Sequence, residues 1–293
     1  SLRNIFADRI SMKGFSSIPK LRLAIVPSNN PQQPLANIWL TGSFATGLTA
    51  KQTSSVTKTI YATGSDDLFV AKCNTNTHFI EYLIPISTSG QERAGTITLE
   101  QSKTGPTGAL LVTGGVSGSS GIRLGNKSLA KISPTYGTFL ARITPTGNVD
   151  WAQIVSDKST TTSPTIGVGL NSDPDGRYFM YIHGTAPYGT TPKPSNYANI
   201  GFGFLGFTLN TATQKPIFET VSQSINGATN GTVTPIRMLR TAQSVILVGS
   251  VKGSFVLPYP NPSTKNQFSF ASSLPSVEAT YLMRIPLPSP PTP

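Results

Sequence analysis

The chain alternates short apolar runs with polar, glycine-rich stretches, and four of the runs end alike. Ile38-Trp39-Leu40-Thr41-Gly42, Leu110-Leu111-Val112-Thr113-Gly114, Met180-Tyr181-Ile182-His183-Gly184 and Ile246-Leu247-Val248-Gly249 each close on a glycine, and the glycines lie 72, 70 and 65 residues apart. A second marker follows each one: Leu68-Phe69-Val70-Ala71-Lys72, Thr138-Phe139-Leu140-Ala141-Arg142, Phe204-Leu205-Gly206-Phe207 and Tyr281-Leu282-Met283-Arg284. Two markers sharing one period predict an internal repeat. Aromatic-led runs (Phe79-Ile80-Glu81-Tyr82-Leu83, Trp151-Ala152-Gln153-Ile154-Val155, Phe218-Glu219-Thr220-Val221) and shorter alternating segments (21–26, 96–99, 166–170, 236–239) complete each unit. Apolar and polar positions alternate at period two and no segment keeps helical spacing, so each repeat is expected to be four strands and no helix.

Four-stranded repeats that cannot bury their own faces are the signature of blades around an axis, and four of them predict an all-β, four-bladed β-propeller. The last repeat stops at its third strand, 281–285, and the missing aromatic-led strand stands at the start of the chain. There Ile5-Phe6-Ala7-Asp8-Arg9-Ile10-Ser11 places Phe6 73 residues before Phe79. Residues 4–11 are therefore expected to pair with the C-terminal blade and close the ring, which removes a free edge. On this reading 1–285 form one domain and the proline-rich 286–293 an extended tail. The surplus length of each repeat falls between its second and third strands, at 45–66, 115–136, 185–202 and 250–278. Such loops either carry binding or form hairpins that cover blade edges.

Asp66-Asp67-Leu68-Phe69-Val70-Ala71-Lys72, and Gly137-Thr138-Phe139-Leu140-Ala141-Arg142-Ile143 leading through Thr146-Gly147-Asn148 to Trp151, resemble the bacterial surface propeller repeats known as SBBP repeats. The resemblance spans nearly the whole chain and its motifs are structural. It implies a surface or extracellular repeat module rather than an enzyme.

Composition agrees with a turn-rich all-β chain: 27 Gly, 24 Pro and only 12% charged residues among 293. The net charge of +11 raises the question of an anionic partner, but the basic residues are scattered with no run of three, which disfavours nucleic acid. Cys73 is the sole cysteine, so no internal disulfide forms, and two histidines, His78 and His183, make no zinc pattern. No apolar run approaches the roughly 20 residues of a bilayer span, and the N-terminus lacks a signal-peptide core, so membrane insertion is not expected.

Candidate chemistry is sparse. Asn171, Asp173 and Asp175 alternate before Gly176 as in calcium loops, but Ile182 stands where the final acidic ligand belongs, so a tight turn is the preferred reading. Asp66 and Asp67 are adjacent on a strand, point to opposite faces and cannot act as an acid–base pair. Asp8, Glu81, Glu100, Asp150 and Glu219 are placed by no catalytic motif, and no nucleophile motif accompanies the histidines. Lys72, Arg142 and Arg284 recur at one repeat position and would either ring an axis as an anion site or snorkel from a strand face. Trp39, Trp151, Tyr188 and Tyr197 are the aromatic candidates for stacking on sugars. Asn126-Lys127-Ser128 and Asn230-Gly231-Thr232 fit the glycosylation sequon, relevant to a secreted eukaryotic chain. The sequence thus points to a non-enzymatic structural or interaction module with no cofactor, bound to other subunits of an extracellular, cell-surface or virion-surface assembly. A carbohydrate-binding propeller is the alternative.

Overall fold

A computed structural model describes residues 10–13, 21–27, 35–102, 105–117, 121–131, 136–156, 167–172, 176–183, 200–226, 232–240, 244–252, 254–258, 267–271 and 278–286. The described residues are all β, without a helix, arranged in antiparallel sheets.

Three consecutive four-strand meanders dominate. The first runs β2 (Arg22–Pro27), β3 (Leu35–Phe44), β6 (Asp67–Asn74), β7 (Ile80–Ser87). The second runs β8 (Glu92–Ser102), β9 (Gly105–Ser117), β12 (Tyr136–Ile143), β13 (Val149–Ser156). The third runs β14 (Gly167–Ser172), β15 (Arg177–His183), β16 (Ile200–Leu209), β17 (Pro216–Asn226). A fourth sheet holds three strands among the described residues, β18 (Thr232–Arg240), β19 (Ser244–Lys252) and β22 (Glu278–Pro286).

Register makes the repeat explicit. Lys72 stands opposite Trp39 and Tyr82, Arg142 opposite Leu111 and Trp151, Phe207 opposite Tyr178 and Phe218, and Arg284 opposite Ile246. Three residues along the same rows, Gly42 faces Phe69, Gly114 faces Phe139 and Gly249 faces Tyr281. A Cβ on Gly114 would lie 2.8 Å from the Phe139 ring and 2.8 Å from the Arg93 carbonyl oxygen, so the motif ends in glycine because the neighbouring ring and backbone take that space. In the third sheet this row holds Tyr181 opposite Phe204, and Gly184 lies beyond the end of β15. The glycine of that repeat therefore does not occupy the ring-covered row, and it lies outside the described residues. Thr41 and Thr113, just before the first two glycines, each donate Oγ1 to the facing Phe carbonyl, of Phe69 and Phe139, at 2.8 Å.

The central strands of the first and second sheets are buried on both faces, and successive residues serve different cores. On β6, Leu68 and Val70 join one cluster while Phe69, Ala71 and Cys73 join another. On β12, Phe139, Ala141 and Ile143 join the first sheet's core, whereas Leu140 packs with Tyr178, Met180 and Phe207 of the third. Period-two side chains feeding two cores place the second sheet between the first and the third. The first strands form the contacts along this stack: β8 lies beside β2, β14 beside β8, and β18 beside β14.

Three of the four surplus segments hold hairpins, β4 (Gly47–Lys51) with β5 (Thr57–Tyr61), β10 (Gly121–Leu124) with β11 (Lys127–Lys131), and β20 (Ser254–Pro258) with β21 (Gln267–Ala271), while 185–199 of the remaining one lies outside the described residues. The edge-covering alternative thus holds for two of them, since β10 adds to β7 and β20 to β17. At the N-terminus, β1 (Ile10–Lys13) pairs with β4, Ile10 facing Ala50 and Lys13 facing Gly47. Ile10 and Ser11 of the expected closing strand therefore contact the first hairpin, while 4–9, and 287–293 of the tail, lie outside the described residues.

Candidate functional site

The recurring cations are held within their own sheets. Lys72 pairs with Glu81 at 2.9 Å, donates to the Pro145 carbonyl at 3.0 Å, and sits 5.3 Å from the Tyr82 ring centroid and 5.8 Å from that of Trp39. Burial alone would raise the Glu81 carboxyl, but Lys72 and Asn74 bring it below its ordinary value. Arg142 binds Glu100 at 2.5 Å and Asp150 at 2.9 Å. Burial works against its charge, yet the two carboxylates, Glu100 foremost, hold it above the usual value. Arg284 is exposed and donates to Ser244 Oγ at 3.0 Å. Lys72 and Arg142 therefore meet acids from their own chain, so at these two positions the charge is already paired within the sheet.

The indoles are likewise committed. Trp39 is 0% exposed under Lys72. Trp151 is 7% exposed and donates Nε1 to the Gln214 carbonyl at 2.7 Å, fastening the second sheet to the turn of the third. Neither presents a ring face to a sugar, which corrects the stacking expected of them, because both indoles fill inter-sheet space. Tyr178 does similar work: its hydroxyl accepts from the Gln101 amide at 3.0 Å, and burial pushes its pKa up to about 12. Asn171 lies in β14 opposite Phe179, while Asp173, Asp175, Tyr188 and Tyr197 lie outside the described residues. Among the described residues no three His, Cys, Asp or Glu side chains gather as a metal site.

Where the first and second sheets meet, two carboxyls are buried together. Asp67 opens β6 and Glu92 opens β8, and both are 0% exposed. Asp67 accepts from the Thr63 amide at 2.9 Å, the Thr63 hydroxyl at 3.3 Å and the Gly64 amide at 3.4 Å. Thr88 Oγ1 lies between Glu92 Oε1 and the Ser117 carbonyl, while Glu92 Oε2 has no donor. Burial, opposed by Thr88 and reinforced by Asp67, pushes Glu92 up to about 9. Burial beside the Asp67 carboxyl therefore favours the protonated form of Glu92 at neutral pH, the form able to donate toward Asp67. The pair has no opening to a substrate and serves to join the sheets.

Solvent reaches the same junction from outside. A cleft of about 480 Å³ opens between β5, β7, the β10–β11 turn and the β12–β13 turn. Ile84 and Pro85 floor it, and Lys58, Tyr61, Arg123 and Asn126 line it with exposed side chains. Tyr61 is 73% exposed. Gly147 shapes one wall at φ +80°, where a Cβ would lie 2.4 Å from the Tyr82 ring. The sequence reading did not single out Lys58, Tyr61 or Arg123, and named Asn126 only as part of a sequon. Their signal was position alone, within the 45–66 and 115–136 segments singled out as projecting.

No family model matches the chain, and no curated protein resembles it to a significant degree.

Proposed function

We propose that the chain is a closed four-bladed propeller acting as a non-enzymatic structural and interaction module of an extracellular, cell-surface or virion-surface assembly. One observation carries the ring. The hairpin of the second repeat adds to the last strand of the first sheet, seven and eight residues after Phe79, where Leu124 faces Ile86 and Arg123 faces Ser87. The hairpin of the fourth repeat adds to the last strand of the third sheet, eight residues after Phe218, where Val256 faces Asn226. The hairpin of the first repeat adds to β1, and Lys13, facing Gly47, stands seven residues after Phe6. By the same rule β1 ends the outer strand of the sheet preceding the first, which in a ring is the fourth. On that alignment Phe6 corresponds in sequence to Phe79, Asp8 to Glu81 and Arg9 to Tyr82, which makes Asp8 the proposed counterpart of Glu81 for Arg284.

The assembly role is supported by what the polar groups do. Lys72, Glu81, Glu100, Arg142 and Asp150 are absorbed in strand-to-strand pairs, and the blade motifs resemble surface propeller repeats. Closure is tested by cysteines at 9 and 284 in a Cys73→Ala background: mild oxidation should give an intramolecular disulfide in the folded protein, and its absence would remove the ring. The role is tested by immunogold electron microscopy of the intact source material. Regularly spaced label on an outer surface is the expected result, and dispersed cytosolic label would overturn the assembly reading.

A further inference from the structure

We propose that the cleft between the first two sheets binds a saccharide carrying a carboxylate, a function separate from ring closure. Its lining is rich in donors and holds no acidic side chain. Among the described residues the Arg123 guanidinium has no partner, although Lys72 and Arg142 are both paired with carboxylates. Lys58 donates once, to the Leu83 carbonyl at 2.9 Å, and keeps two N–H groups for a ligand. Asn126 uses its carbonyl oxygen to accept from the Val149 amide at 3.0 Å, which leaves its NH₂ free and fixes which end of the amide is offered. The guanidinium fork matches a carboxylate in two parallel hydrogen bonds, and the fixed amide suits a sugar hydroxyl.

Tyr61 decides between a sugar and a bare anion. An aromatic ring 73% exposed on the rim of a cleft floored by Ile84 and Pro85 is poor company for an inorganic ion, whereas it covers the C–H face of a pyranose well. The turns that form the far wall are rigid. Gly125 donates to the Pro85 carbonyl at 3.0 Å, and in the β12–β13 turn Thr144 donates to Asn148 at 2.8 Å and Gly147 to Thr144 at 2.9 Å. Binding therefore needs little reorganisation of the backbone.

The test titrates the full chain with digalacturonate, a glucuronate disaccharide and sialyllactose, with digalactose and a Glu-Tyr-Glu peptide as contrasts, followed by ¹H–¹⁵N NMR. At least one acidic saccharide is expected to shift the Arg123 side-chain and Asn126 amide signals, and to bind at least tenfold more tightly than digalactose. Arg123→Ala should weaken it at least tenfold and Tyr61→Ala at least threefold, with melting temperatures unchanged because both side chains are exposed. Silence of all three acidic saccharides, equal binding of digalactose, or tighter binding of the peptide would each overturn the proposal. A shared response to Arg123→Ala and Arg123→Lys would remove the bidentate contact from it.

Discussion

Replacing Glu92 by Gln should make the protein more stable, and more so as pH rises. In the fold Glu92 titrates at about 9, against 4.5 for an unperturbed glutamate. Its proton is therefore bound more tightly in the native state, so its contribution is complete below about pH 4.5 and is lost as pH rises toward 9. At pH 7 the chain must hold a carboxyl protonated about 2.5 units above its unfolded value, which costs about 3 kcal/mol at 1.4 kcal/mol per unit. Glutamine keeps the shape, accepts from Thr88 through Oε1 and offers Asp67 a permanent N–H donor in place of the proton. The variant should match wild type near pH 4.5 and gain about 1–3 kcal/mol at pH 7, the lower figure allowing for imperfect placement of the amide. Read as melting temperature for a chain of this size, the gain is about 2–8 °C. Scanning calorimetry from pH 4.5 to 9 on both proteins measures it. Because every other group titrates in both, their difference isolates Glu92. Parallel profiles, or a variant equally destabilised at every pH, would show that no proton is shared between Asp67 and Glu92.

Arg142→Met should cost about 3–5 kcal/mol by leaving Glu100, 4% exposed, buried without its cation, and chemical denaturation would read it. A loss below about 1 kcal/mol would mean that Glu100 reaches water. Trp151→Phe keeps most of the ring volume but strands the Gln214 carbonyl, and a loss of about 1–2 kcal/mol is expected. Hydrogen exchange should show that loss first in the third sheet, and uniform exchange would contradict the fastening role. Gly114→Ala places a methyl 2.8 Å from the Arg93 carbonyl oxygen and should cost about 1–3 kcal/mol in equilibrium unfolding. A neutral outcome would show that β8 can shift away from β9 at this row without penalty.

Strand content was legible because period-two alternation is a local property, and the glycine row was legible where a facing Phe ring excludes a side chain. It misled in the third repeat, where Tyr181 and not a glycine occupies that row. The recurrent cations were visible as a pattern, but their meaning was not. Lys72 and Arg142 read alike as ligands or as strand partners until Glu81 and Asp150 are seen across the third-to-fourth strand pair. The indoles misled for a related reason: Trp39 and Trp151 are large enough to serve either a sugar or an inter-sheet core, and only burial distinguishes the two.

The junction of the first two sheets depends on residues that no repeat pattern marks. Asp67 and Glu92 are 25 residues apart and become neighbours only when β8 starts beside the start of β6, a placement bridged by the backbone bond from Glu92 to Asp66 at 2.7 Å. Arg123 and Tyr61 come from different hairpins, and each reaches the cleft because a hairpin crosses to, or packs against, a sheet edge. The same crossing that brings a ligand face together ties neighbouring sheets through main-chain hydrogen bonds. Sheets fastened in this way can carry divergent hairpin tips, since the strap depends on backbone pairing at Leu124, Val256 and Gly47 and not on the side chains displayed beyond them. On the proposed cleft reading, the hairpins supply the ligand-facing side chains and the sheets hold them in register.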